Sequence, residues 1–560
     1  MAAVPLSTLQ SKPSAITSTE PVDEDAEARD FDITSIKSDH DDQDPLLESD
    51  VEGKAKDDNQ CREGVSSTKR AWRRPAMYWL VPVYLLYTLG YGGIWVPKLD
   101  LIYDLTCRAY CIDHQCKAAS NAVTSSLLHA RNDRCRAPEI QGLAAEFVMG
   151  CNLLGGVMSI FTCPKFGQAS DLYGRTRILA IGGSGMLVNC ILTILVATFP
   201  ETFPLPWLYA TYILESVLGP YASIMAIVNS YAADITTPQQ RNVAFGYLQG
   251  CLYAGVAAGP LLAAGIVQLT GSVVLVFWLA LFGVVIFMFC MAFVVPESMT
   301  EHQRTAARDA YEKRRAHSHG RSWYARLKPQ SLLASLRTLW PNGTGTSPIL
   351  RRNLVLLATI DTTLEGIVRS SFSIIVYISI LRFGWDTSAK SVFMGAINIV
   401  RAAGLVLLLP LITWYFKRKS GKGPRPPTGR GCDNFDLGLI RCGAILNCLG
   451  WTGYAMATSP ILFVISGIFI ALAGIGRPVV QSSLTKHVPS TQTGLLMGAT
   501  ALLYGLMRVL SPILMNGFYT ATVGVMPGAT FACLGAVCAL LSALAFLLRP
   551  GVFLDETELQ

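Results

Sequence analysis

The sequence predicts an all-α membrane protein of twelve transmembrane helices in two six-helix repeats, and three observations carry that expectation. Of the 560 residues, 51% are apolar and only 15% charged, with a mean hydropathy of +0.38, outside the range of ordinary soluble domains. About twelve apolar runs approach the ~20 residues that a helix needs to cross a bilayer. These runs fall as six, a polar link of roughly fifty residues, and six more, the layout of a transporter with two structural repeats around a midplane site. The alternating ten-residue segments of a β-barrel are absent from the sequence.

Residues 1–70 are rich in Asp, Glu, Ser and Thr and nearly devoid of aromatics. Such a composition cannot bury enough apolar area to fold alone, so a disordered acidic tail is expected. The chain opens without the basic start and apolar core of a cleavable signal, so the first span is expected to direct insertion. Lys69, Arg70, Arg73 and Arg74 stand just before it and place the N-terminus in the cytosol by the positive-inside rule. An even number of spans returns the C-terminus, 550–560, to the same side.

The runs begin near Met77, Gln141, Ile178, Trp207, Val243 and Val273, giving an N-terminal bundle over 71–298. After a cytosolic link, 299–350, they resume near Leu354, Val392, Leu437, Ile461, Leu495 and Val525, giving a C-terminal bundle over 351–549. Most loop Lys and Arg fall in the segments this topology assigns to the cytosol. Within the link, "RSWYARLKPQSLLASLRTLW" pairs an apolar face with basic residues, as a helix lying on the membrane surface would.

The external loop 97–139 is the exception in charge and in cysteine content. It holds Cys107, Cys111, Cys116 and Cys135, an even cluster that predicts one or two disulfides in an oxidising compartment. A four-Cys zinc site, helped by His114 or His129, is the alternative, although no paired CxxC accompanies it. No metal and no cofactor is expected.

A weak internal duplication supports the two-repeat layout. "PQQRNVAFG" ending at Gly246 stands opposite "STQTGLLMG" ending at Gly498, and Pro260 opposite Pro512, both at an offset of 252 residues. "GQASDLYGRTR", residues 167–177, follows the second run and resembles the signature of the major facilitator superfamily. "GVAAGPLLAAG", residues 255–265, resembles the Gly-Pro motif of that family's antiporters, and "VPES" closes the sixth run. The external loop and "ADITTPQQR" are similar to the branch holding tetracycline-efflux proteins and proton-coupled folate and heme carriers. Where drug antiporters carry an Arg in span four, this sequence has Glu215, and the second half lacks a clear copy of the first signature.

The resemblance implies a conformational latch of Gly167, Asp171, Gly174, Arg175, Asp234 and Arg241. The glycines allow a tight turn and Asp171 can face the positive end of another helix. Arg175 can pair with Asp234, although topology-fixing charges in a short turn are the alternative. Gly255, Gly259 and Pro260 are read as a helix hinge, with close packing as the alternative.

A charge at the bilayer centre costs about 3 kcal/mol or more, so ionisable residues there face a protein interior or a wet cavity. The expected set is Glu215 in span four, Asp361, Glu365 and Arg369 in span seven, Arg401 in eight, Arg477 in ten and Arg508 in eleven; Glu146 lies in span two. In "IDTTLEGIVRSS" three charges four residues apart share one helical face. Glu215, Asp361 or Glu365 is expected to carry a coupling proton, and an arginine to meet an acidic group of the solute. Internal salt bridges are the alternative.

No P-loop and no nucleophile or metal-ligand set is present, which argues against an ATP-driven pump and against an enzyme. The expected function is secondary active transport of a small organic solute, with protons as coupling ion and efflux of a toxin or metabolite placed first. Uptake of a folate-like organic anion by proton symport is second, and a transport-inactive receptor of the same fold third. The expected partners are the solute, protons and the lipid bilayer, with no nucleic acid, in a monomer. Leu46 and Leu47 in "DDQDPLLESD" form an acidic dileucine pattern for sorting adaptors. A plasma-membrane location is expected ahead of a vacuolar or endosomal one.

Overall fold

The computed structural model describes residues 74–113, 138–316, 336, 339–341, 347–385, 387–419, 431–488, 492–522 and 524–552. The expected tail, with Leu46 and Leu47, lies outside them, as do Cys116, Cys135 and most of the amphipathic segment 321–340. The described residues form helices and turns, with no strand among them.

The first half contains α1 (Met77–Gly93), α2 (Trp95–Asp113), α3 (Pro138–Tyr173), α4 (Arg175–Thr198), α5 (Trp207–Leu218), α6 (Tyr221–Ile235), α7 (Arg241–Thr270) and α8 (Val274–Phe289). After α9 (Glu301–Ala316), the second half contains α10 (Pro348–Phe383), α11 (Thr387–Ala403), α12 (Leu409–Lys419), α13 (Asn434–Met456), α14 (Pro460–Ala473), α15 (Gly476–Lys486), α16 (Thr493–Thr522) and α17 (Ala529–Phe546). Eleven stretches among them are long and apolar enough to cross a membrane. The remaining expected span coincides with α13, which is 23 residues long. Arg441, Asn447 and interior glycines dilute its hydropathy, and it is not one of the eleven.

The stretch from Pro97 is helical as far as Asp113 rather than loop. Leu101 and Ile102 bury one face of α2 and support the extra turns. Cys107 and Cys111 therefore sit on a helix, and Cys107 is disulfide-bonded.

Two of the spanning stretches are broken at corresponding places. Residues 207–235 divide at Gly219 and Pro220 between α5 and α6, and residues 460–486 divide at Gly474 and Ile475 between α14 and α15. Interrupted helices in matching positions of two halves mark the place where a transporter fold builds its site. By contrast α7 runs unbroken through Pro260.

Each half has its own apolar core. Tyr84, Tyr87, Phe245, Phe277 and Phe287 fill the first, and Trp451, Tyr454, Phe463 and Phe531 the second. The halves meet along α3 with α16 and along α7 with α11 and α15, so the contact has the same pattern viewed from either repeat.

Candidate functional site

Between the halves lies a polar chain built on both. On α10, Asp361 is fully buried and Glu365 nearly so. Arg477, one residue into α15 after the break, makes an ion pair with Glu365 through Nη2, and its Nε lies 3.6 Å from Asp361 Oδ1. Arg369 Nε donates to Glu365 Oε1 at 2.5 Å, so Glu365 is held by two guanidinium groups. This buried group is neutral overall, which is the condition for ionised side chains to persist in low dielectric.

Asp361 is held differently. The Tyr504 hydroxyl of α16 donates to Asp361 Oδ2, and Gln481 Nε2 of α15 donates to the Tyr504 oxygen at 2.8 Å and to Asp361 Oδ1 at 3.5 Å. On its other side Gln481 Oε1 accepts from Asn229 of α6 at 3.1 Å and from Gln249 of α7 at 3.2 Å. The carboxylate of the second half is thus linked to two helices of the first through one amide.

A second polar group lies in the first half. Lys98 Nζ of α2 donates to Asn189 Oδ1 at 2.6 Å and Thr211 Oγ1 at 2.9 Å, and sits 4.2 Å from the Tyr212 ring centroid. Asn189 Nδ2 donates to Glu215 Oε2 at 2.7 Å. Arg508 of α16 reaches this group from the other half, donating to Asn152 Oδ1 at 3.4 Å. Arg401 is elsewhere, its guanidinium 4.7 Å from the Tyr253 ring centroid. Glu146 is exposed on α3 and joins neither group.

The charges expected to form a latch gather at one end of the bundles. Arg175, fully buried, donates to Asp171 Oδ1 at 2.6 Å and to Asp234 Oδ2 at 3.0 Å. Asp171 Oδ1 also accepts the backbone N–H of Gly494 at 3.1 Å, in the first turn of α16 across the interface. That position favours an anion, because the first turn leaves N–H groups unpaired at the positive end of the helix. Gly174 has φ of 105°, and a Cβ there would strike the Glu297 carboxylate. Glu297, from "VPES", caps α4 by accepting Arg175 N at 2.8 Å and Thr176 Oγ1 at 2.9 Å. A Cβ at Gly167 would come within 2.7 Å of Gly494 O and Gly498 Cα.

The second half supplies a counterpart that the sequence reading missed. Asp436, in the first turn of α13, accepts from Lys486 Nζ at 2.5 Å and from Asn242 Nδ2, in the first turn of α7, at 2.5 Å. Asn242 and Gly494 are 252 residues apart, the offset of the duplication. Arg241 donates to Thr485 Oγ1 at 3.2 Å beside them. Asp436 escapes a motif search because it opens the ninth expected span instead of closing the eighth.

Gly255 and Gly259 bring α7 against α1 at backbone contact. A Cβ at Gly259 would lie 2.7 Å from Gly92 C, and one at Gly255 2.9 Å from Thr88 Cβ. Thr88 Oγ1 donates to Cys251 O at 2.9 Å along the same seam.

The family model of the Major Facilitator Superfamily matches residues 80–432. This chain belongs to that superfamily. It is 27% identical over 513 residues to the MFS-type transporter avaJ of Aspergillus versicolor, covering 90% of this chain and 93% of that protein. It is 25% identical to the class G tetracycline resistance protein of Vibrio anguillarum, covering 67% of this chain and 81% of the relative. It is 22% identical to the proton-coupled folate transporter of Bos taurus, covering 70% of this chain and 77% of that protein. Among solved structures, the human organic anion transporter MFSD10 (TETRAN) superposes with a TM-score of 0.57 at 15% identity, covering 84% of this chain and 100% of that one. The superfamily is one of multi-pass membrane transporters, and the interrupted spans and buried inter-half charges belong to that setting.

Proposed function

We propose that this superfamily member is a proton-coupled secondary transporter that exports a small organic solute by alternating access. The observation that carries the reading is the position of Asp361: a buried carboxylate, held by Tyr504 and Gln481, and linked through Gln481 to Asn229 and Gln249 of the other half. A proton on Asp361 removes the charge facing Arg477 and changes which groups Tyr504 and Gln481 can donate to. The hydrogen bonds between the halves then rearrange with the protonation state, which is what coupling requires. Glu365, clamped by Arg369 and Arg477, acts as their fixed counter-ion and is the weaker candidate for the proton.

Export is placed first on the "GVAAGPLLAAG" stretch and on the similarity to tetracycline resistance proteins. A second reading, uptake of an organic anion with a proton, is favoured by the surplus of cations between the halves and by the similarity to a proton-coupled folate transporter. In either reading the Asp171 end faces the cytosol, both termini are cytosolic and the membrane is the plasma membrane.

The test is transport in proteoliposomes under an imposed pH gradient. Asp361→Asn is expected to abolish accumulation driven by the gradient while leaving solute counterflow intact. Loss of neither, or equal loss of both, defeats the assignment, and the sign of the gradient that drives flux decides between export and symport. Absence of exchange and of driven flux in the unmodified protein would leave the receptor reading.

A further inference from the structure

The charges in the central part of the bundles do not balance. Among the described residues, Lys98, Arg369, Arg401, Arg477 and Arg508 stand against Glu215, Asp361 and Glu365 in these polar groups, an excess of two positive charges. Asp361, Glu365, Arg369 and Arg477 neutralise one another. Arg401 lies nearly buried against the Tyr253 ring face, a weak but real partner for a guanidinium. What remains is Lys98 and Arg508 around Glu215.

Their arrangement is that of an anion site holding its own counter-ion. Arg508 is half-buried, has no carboxylate within 4.0 Å among the described residues, and makes one long hydrogen bond, to Asn152. Its charge acts on both Glu215 and Lys98 across the interface. A guanidinium fork without a carboxylate, in a membrane interior, is costly until an anion fills it. Lys98 is saturated by Asn189, Thr211 and the Tyr212 ring, so it adds positive potential without reaching a ligand. Glu215 accepts from Asn189 and lies within 4.0 Å of no cation among the described residues. Tyr91 stands beside this group, half-buried and stacked on Tyr221 at 4.4 Å, and experiences the charges of Glu215, Arg508 and Arg369 together.

Resting on the transport reading above, we infer that the cargo is an aromatic carboxylate whose acid group binds Arg508 in competition with Glu215, and whose ring lies against Tyr91. Lys98 is a positioning residue: through Asn189 it draws the Glu215 carboxylate toward the first half and away from Arg508. The site straddles the halves, so occupancy reports to both.

The test is binding to the full-length protein in nanodiscs, by calorimetry, with benzoate, cinnamate and 2-naphthoate, each against its uncharged amide. At least one acid is expected to bind ten-fold or more tightly than its amide. Arg508→Gln is expected to remove that preference, Arg508→Lys to keep part of it, and Glu215→Gln to tighten acid binding several-fold because the internal competitor loses its charge. The gain in Glu215→Gln is a readout that a purely structural role would not give, and it stands even if Arg508→Gln fails to fold. Equal binding of acids and amides, no binding of any acid, or weaker acid binding in Glu215→Gln overturns the inference. Binding of the acids with no pH-driven flux would defeat the transport reading and leave the anion site; driven flux of an uncharged solute with no acid binding would do the reverse.

Discussion

Asn229 donates to Gln481 at 3.1 Å, and these two residues stand 252 positions apart, the offset that separates the repeats. Equivalent positions of the two halves therefore touch at the centre of the molecule, one step from Asp361. Gln481→Ala removes the amide that joins them. A buried hydrogen bond of this kind contributes about 1–2 kcal/mol, roughly 5–30-fold if it is made only in the coupled step. Gradient-driven flux is expected to fall by that factor while counterflow changes less, as measured in proteoliposomes.

Arg477 faces two carboxylates, so Arg477→Gln leaves Asp361 without a cation and Glu365 with Arg369 alone, one negative charge uncompensated. Breaking a buried ion pair from one side costs about 3–5 kcal/mol, and restoring neutrality recovers much of it. Thermal unfolding in detergent is expected to show a large loss for Arg477→Gln and partial rescue in Arg477→Gln with Glu365→Gln. Additive effects in that double-mutant cycle would rule out direct coupling.

Asp171 and Asp436 each reach the first turn of a long helix in the opposite half. If both hold that end shut, neutralising either weakens the closed state by about 1 kcal/mol, roughly five-fold in population, and neutralising both adds. Spin-label distances across the Asp171 end are expected to shift toward the open population in Asp171→Asn, Asp436→Asn and, most, the double variant. Unchanged distances in the double variant would show that these carboxylates only fix the fold.

His487, just past α15, is buried, and burial holds its pKa below the ordinary histidine value. Its Nδ1 meets Ser483 O at 2.7 Å; Asn353 faces Nε2, and Lys486 and Asp436 are its charged neighbours. The folded state thus prefers neutral histidine, and the unfolded chain binds more protons in weak acid. Stability contributed here is present above the unfolded histidine pKa and is lost as pH falls below it. Melting temperatures are expected to drop between about pH 7 and 5, with a shallower slope in His487→Gln.

Glycine positions offer a further contrast. Gly255→Val places side-chain atoms against the Thr88 backbone and is expected to cost about 1–3 kcal/mol, seen as a lower melting temperature. Gly265 has nothing within 4 Å of a built Cβ, so Gly265→Ala is expected to be within about 0.5 kcal/mol of neutral.

The spans and the family were legible because hydropathy and the "GQASDLYGRTR" signature are local properties of the chain. Asp361, Glu365, Arg369, Arg477 and Arg508 stood out because charge in an apolar run is costly, and the structure sorts them into two groups that no linear pattern separates. Gln481, Asn229 and Gln249 are uncharged and carried no such signal; only the repeat offset, applied to Asn229, points to Gln481. Lys98 falls in the stretch that the sequence assigns to the external loop 97–139, whereas α2 continues through it and buries the amine against Asn189. Span nine was expected from an apolar run; there the structure has a helix of 23 residues, diluted by Arg441 and Asn447, that is not among the eleven membrane-length stretches.

The contact of Gly167 with Gly494 and Gly498 also bears on how this end opens. At Gly167 and Gly498 the two backbones lie directly against each other, while the Asp171 and Arg175 side chains lie against Gly494. Separating this seam would break the hydrogen bond from the Gly494 N–H to Asp171 and expose bare backbone at Gly167 and Gly498, so the contact is held by one carboxylate and by closeness of the two chains rather than by bulky side chains at those two glycines.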